Sequence, residues 1–167
     1  MTTSPEDRPS PVRPTARHLA DPVHLLALGF GAGLAPIAPG TFGSLVGLGL
    51  ALAVAPLGFS GQLVAAAIVT AAGFWICGAS ARRLRVHDHP AIVWDEIAGM
   101  MIAMLAAPQG WRGAVLAFVL FRLFDVWKPW PIREIDHGMA GGAGIMLDDV
   151  LAGIFAALAL LSIRYLT

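Results

Sequence analysis

The chain of 167 residues holds a single cysteine, a single lysine and no asparagine, and charged residues make up only 13% of it. The lone Cys77 excludes a disulfide framework and any zinc cluster built on cysteines. An ordinary soluble domain carries roughly 25% charged residues, so this chain has little polar surface with which to cover itself. Its eleven basic and eleven acidic residues cancel, which leaves no global field to attract nucleic acid. With 57% hydrophobic residues, disorder is excluded everywhere except near the N-terminus. Ten of the eleven basic residues are arginine. Lys128, standing alone against that bias, points to a place that needs a compact ammonium.

Residues 1–23 contain five prolines, mixed charges and no apolar periodicity. They read as a flexible tail ahead of one domain over 24–167, and they lack the apolar core of a secretory signal. Arg8, Arg13 and Arg17 of this tail face solvent or anionic lipid. His24–Leu34 is a short helix or re-entrant piece, followed by a loop over 35–44. Apolar runs then cover Ser44–Phe59, Gln62–Ser80, Ile97–Ala107, Ala114–Phe124 and Val150–Ile163. No internal repeat stands out. Long Ala- and Leu-rich runs without alternation predict an all-α fold, a compact helical bundle.

Most of these runs fall short of the about 20 residues that a spanning helix needs, so a soluble bundle of buried helices is one reading. The near-absence of polar helix faces favours an integral membrane protein with several short or re-entrant helices. If the N-terminus is cytoplasmic and each of the five runs crosses, Arg82, Arg83, Arg85, Lys128 and Arg133 fall inside, as the positive-inside bias expects. Arg112 and Arg164 fall outside. The same threading gathers Asp95, Glu96, Asp125, Asp148 and Asp149 on the inner side, where they avoid the cost of charge at mid-bilayer.

These five acids are the chemistry-bearing feature. Acidic doublets at helix starts are ordinary first-turn residues, yet two doublets and Asp125 converging on one edge repel and call for cations. Oxygen ligands of this kind hold Mg²⁺. Arg122, Asp125 and Lys128 recur every three positions and share a helical face. They form either a salt-bridge ladder or a site in which Lys128, with Arg122 or Arg133, binds phosphate oxygens while Asp125 holds metal. Two glycine-containing loops, Pro39–Ser44 and Gly141–Gly144, precede helices. Their N–H groups can bind an anion, with hydroxyls from Thr41 and Ser44. His87, His89 and His137 read as surface residues, and Cys77 as an inert buried thiol. Trp127 and Trp130 fit a membrane-interface belt.

Four segments, GFGAGLAPIAPGTFGSL (29–45), IVWDEIAGM (92–100), FRLFDVWKPWPIREID (121–136) and GGAGIMLDDVLAG (141–153), together resemble the bacterial phosphatidylglycerophosphatase A family. The resemblance covers nearly everything after residue 24. It implies a Mg²⁺-dependent phosphatase of the inner membrane that converts phosphatidylglycerophosphate to phosphatidylglycerol and phosphate at the cytoplasmic face. The family's acidic residues fall on Asp95, Glu96, Asp125, Asp148 and Asp149, its lysine on Lys128, and its Pro-Gly-Thr loop on Gly40, Thr41 and Ser44. Water activated by metal would attack phosphorus, with one carboxylate as base and Lys128 neutralising the equatorial oxygens. Two rivals stand beside this reading: a non-catalytic membrane transporter or ion-binding protein, and a peripheral phosphatase acting on another phosphomonoester.

Overall fold

The computed structural model describes residues 13–86, 89–134 and 141–166, and every regular element among them is helical. The all-α expectation therefore holds. Residues 1–12, His87 and His137 lie outside the described residues. A 3-10 turn at Ala16–Ala20 leads into α1 (Pro22–Ala27), which Asp21 caps by accepting from the Val23 N–H at 2.8 Å. A second 3-10 stretch, Gly29–Leu34, precedes five longer helices: α2 (Pro39–Val54), α3 (Gly58–Leu84), α4 (Trp94–Met104), α5 (Trp111–Trp127) and α6 (Gly142–Leu166).

Two helix starts differ from the apolar runs. α2 begins at Pro39 rather than Ser44, because a proline at the first helical position loses no hydrogen bond and already has the helical φ. Gly40, Thr41 and Ser44 thus lie in the first two turns of α2, not in a loop ahead of it. α6 begins at Gly142, so Asp148 and Asp149 sit inside the helix rather than at its start. The run expected over Ser44–Phe59 is broken at Ala55–Leu57, and Gly58 (φ 71°) swings the chain into α3.

Side-chain approaches fix the direction of each helix. Gly40 lies against Glu96, and Gly47 against Ile97 and Met100, so α2 and α4 are parallel. Asp95 lies beside Asp149 and Gly99 beside Gly153, which makes α6 parallel to α4 as well. α3 and α5 run the other way: Gly73 meets Met146 while Gly78 packs on Gly142, and Phe124 meets Phe155 while Lys128 reaches Asp148. Chain direction alternates from α2 to α6, and the N-termini of α2, α4 and α6 gather at one end with the C-termini of α3 and α5.

α4 is the hub. Its 11 residues rise only about 16 Å, roughly half a hydrocarbon core, and Ile97, Ala98, Met100 and Ala103 are fully enclosed by the other helices. The periphery is apolar in turn, with Leu52, Ile68, Trp75, Val119 and Leu158 all exposed. Pro39–Leu84, bent at Gly58, and Gly142–Leu166 are apolar and long enough to cross a membrane.

The α4–α6 crossing depends on two glycines. A β-carbon on Gly99 would lie 2.5 Å from the Asp149 carbonyl oxygen and 2.6 Å from the Phe121 ring, and one on Gly153 would strike the Gly99 carbonyl. Gly99→Ala and Gly153→Ala are each expected to cost about 1–3 kcal/mol through overpacking. Gly49, with nothing within 4 Å of the added carbon, is the control, and Gly49→Ala should stabilise by about 0.4–1 kcal/mol. Thermal unfolding in detergent reads both, and equal effects at positions 49 and 99 would refute the close crossing.

Candidate active site

The glycine crossing sets Asp95 and Asp149 against each other, because each acid lies one turn before its helix's glycine. Asp95 and Asp149 are buried, at 7% and 3% exposure, and Glu96 is half-buried beside them. Each of the three offers an oxygen within 4.8 Å of the other two. Gly40 leaves room for the Glu96 carboxylate, which occupies the space where a side chain on α2 would otherwise stand.

Two cations border this cluster. Arg122 pairs with Asp125 three residues on, and also donates to the Ser44 hydroxyl at 3.4 Å. Ser44 is wholly buried and donates its own proton to the Gly40 carbonyl at 2.8 Å, so it ties Arg122 to the start of α2. Asp125 stands close enough to Glu96 and Asp149 for its charge to act on both. Lys128 Nζ lies 2.7 Å from Asp148 Oδ2.

The face shared by Arg122, Asp125 and Lys128 is interrupted. α5 ends at Trp127, and Lys128 takes a left-handed backbone (φ 45°, ψ 63°) that turns its ammonium toward α6. A lysine in that region is strained, and Asp148 holds the ammonium there. Of the five sequence-nominated acids, the structure brings Asp95, Glu96 and Asp149 into one cluster, while Asp125 and Asp148 each engage a cation. Thr41 is half-buried near the rim, and Arg133 is exposed beyond the end of α5. Trp127 and Trp130, flanking Lys128, are 63% and 75% exposed.

The cluster fits a hard cation. Asp95 Oδ1, Glu96 Oε2 and Asp149 Oδ1 are buried and receive no hydrogen bond among the described residues, a costly state for a carboxylate unless a positive partner completes it. An all-oxygen donor set of this kind is what Mg²⁺ takes. Burial, and then the neighbouring Glu96 and Asp149 charges, hold the Asp95 carboxyl well above the usual carboxylate range. Burial likewise pushes Glu96 up to about 7. Near Asp95, Cys77 is enclosed with its thiol 3.7 Å from the Met146 sulfur.

Sequence reasoning missed what places the acids. Asp95-Glu96-Ile97-Ala98-Gly99 and Asp149-Val150-Leu151-Ala152-Gly153 share the spacing of acid and glycine, and that short echo was the available signal. The buried His24–Ser80 pair, 2.9 Å from Nδ1 to Oγ, had none, since its members are 56 residues apart.

The family model described as Phosphatidylglycerophosphatase A matches residues 25–164. The Phosphatidylglycerophosphatase A of Escherichia coli is 43% identical over 140 residues, covering 83% of this chain and 81% of that protein. The protein of the same name from Haemophilus influenzae is 45% identical over 150 residues, covering 88% and 91%. No solved structure matches the chain.

The raised carboxyls set the sign of a pH dependence. Without divalent cation, the unfolded chain ionises Asp95 and Glu96 from their ordinary 3.8 and 4.5, while the native state keeps them protonated. Native stability should therefore fall as pH rises from about 4 through about 7. Adding Mg²⁺ should raise the melting temperature most at the alkaline end, and Asp149→Asn should abolish that rise. A Mg²⁺ shift that is independent of pH, or undiminished in Asp149→Asn, would remove the cluster as the cation site.

Proposed function

The chain belongs to the phosphatidylglycerophosphatase A family, and on that premise we propose that it removes the terminal phosphate of phosphatidylglycerophosphate, yielding phosphatidylglycerol and inorganic phosphate. In this reading the reaction is Mg²⁺-dependent and takes place at the cytoplasmic face of the bacterial inner membrane. The observation that carries it is the buried Asp95, Glu96 and Asp149 cluster with its unpartnered oxygens, bordered by Arg122 and Lys128.

Asp95, Glu96 and Asp149 would hold the cation, with Asp125 and Asp148 beside them. Bound Mg²⁺ supplies Lewis-acid polarisation of the phosphoryl group and a more acidic water. Lys128 and Arg122 bind the non-bridging phosphate oxygens, exchanging part of their pairing with Asp148 and Asp125 for the dianion. The helix N-termini of α2, α4 and α6 add backbone dipoles of the same sign at the same end. Thr41 and Gly40 border the phosphate, while Ser44 keeps Arg122 in place. Arg133, farther out, meets the substrate's second phosphate, the diester.

Water forms the new P–O bond, and a carboxylate of the cluster accepts its proton. The bond from phosphorus to the glycerol oxygen breaks, and that oxygen leaves as the alcohol after protonation. Trp127 and Trp130 set the site at the depth of lipid headgroups, so the acyl chains need not leave the bilayer.

Purified protein in mixed micelles should release phosphate from phosphatidylglycerophosphate with Mg²⁺ and lose turnover with EDTA. Asp95→Asn and Lys128→Ala should each lower kcat by about 10²-fold or more while the fold persists by circular dichroism. Folded wild type without turnover on this lipid, but active on a water-soluble phosphomonoester, would move the substrate to that class. Full activity in both variants would remove the cluster from the chemistry.

A further inference from the structure

We propose that the protein carries a second anion site, built for a phosphate ester and separate from the acidic cluster, where the N-terminal segment meets the C-terminal end of α3. An open cavity of about 780 Å³ lies there, lined by Arg17, His18, Asp21, His24 and Arg83. That volume falls within the roughly 300–1,000 Å³ typical of small-ligand sites. Nothing in the proposed hydrolysis uses these residues.

The wall of the cavity is fixed rather than loose. Asp21 caps α1 through the Val23 N–H and pairs with Arg83, fastening the segment to α3. His24 is buried, with Nδ1 2.9 Å from the Ser80 hydroxyl, and its ring meets His18 edge-on at a centroid distance of 5.5 Å. The Thr15 backbone N–H donates to His18 Nδ1 at 3.0 Å. In the neutral ring the proton must then sit on Nε2, which makes His18 a donor.

The polar balance favours an anion. Asp21 accepts from Val23 with one oxygen and from Arg83 Nη1 with the other, and a guanidinium has five N–H donors. Arg83 therefore keeps donors for a ligand, and its side chain is 46% exposed. Arg17 adds a second exposed guanidinium. Two arginines against one engaged carboxylate leave a net positive site whose planar forks match phosphate oxygens.

Position along α3 speaks for a headgroup. Trp75, 62% exposed, lies about two turns before Arg83 on a helix whose outer face is apolar, as an interface anchor would. A basic cavity just beyond that anchor stands where anionic phospholipids present their phosphates. A soluble phosphate ester shares the same chemistry, so the experiment separates the two.

The test is equilibrium binding to the full chain in zwitterionic micelles, titrated separately with short-chain phosphatidylglycerol, glycerol phosphate and inorganic phosphate. Arg17→Gln and Arg83→Gln should each weaken binding by about three- to tenfold. Arg17→Lys should weaken it less than Arg17→Gln, and Arg17→Gln should leave kcat/KM for hydrolysis unchanged in zwitterionic micelles whose one anionic lipid is the substrate. Should Arg83→Gln fail to fold for loss of its pair with Asp21, Arg17→Gln decides alone. Arginine-sensitive binding of the lipid but not the soluble anions identifies a headgroup site, and arginine-sensitive binding of the soluble anions identifies a free phosphate site. Isotherms unchanged by the variants, or no saturable binding with any of the three probes, would overturn the proposal. Binding is read without turnover, so the outcome does not hang on which lipid is hydrolysed.

Discussion

Three carboxylates pressed together inside an apolar bundle are the constraint around which the rest of the molecule is arranged. Removing even one such charge from water costs several kcal/mol unless a partner answers it. The fold answers from several directions. Three parallel helices bring their N-terminal dipoles to the same end, and Arg122 and Lys128 stand at the rim, engaged by Asp125 and Asp148. The remaining deficit of positive charge, marked by the oxygens without donors, is the physical reason that the cluster reads as a cation site.

The crossing of α4 and α6 is the other half of that arrangement. Helices bearing ordinary side chains pack about 8–10 Å apart, and a β-carbon at Gly99 or Gly153 would force α4 and α6 away from their present approach. Gly99 and Gly153 remove the obstacle one turn below the acids, so closeness of backbone and closeness of charge come from the same four positions. Phe121 then fills the space beside Gly99 and fixes α5, which in turn delivers Arg122 and Asp125.

Much of this was legible before any coordinates. Apolar runs and the absence of alternation gave helices, and the pooling of acids at one edge was visible from charge placement alone. Other features depended on contacts remote in sequence or on backbone geometry. That Lys128 leaves the helical face of Arg122 and Asp125 follows from a left-handed residue at the end of α5, which no periodicity announces. The true starts of α2 and α6 were hidden because glycine and proline, read as loop formers, are here placed in first turns. Ser44 was nominated for its hydroxyl, and what no spacing announced is that the hydroxyl is buried between the Gly40 carbonyl and Arg122. Membership of the family agrees with the resemblance read from the four segments, and it tells against the transporter reading, which charge placement had left standing.

Alternating helix direction has a topological consequence. The segment before α1 lies at the acidic end, since the Ala27 carbonyl accepts from Val93 N–H at 2.8 Å, two residues ahead of Asp95. α6 runs parallel to α4 and so delivers Tyr165 and Leu166 to the far end of the bundle. The two ends of the described chain are a full helix length apart, so they cannot be joined by a short linker as in a circular permutant. Any linker between them would have to run the length of α6, about 37 Å.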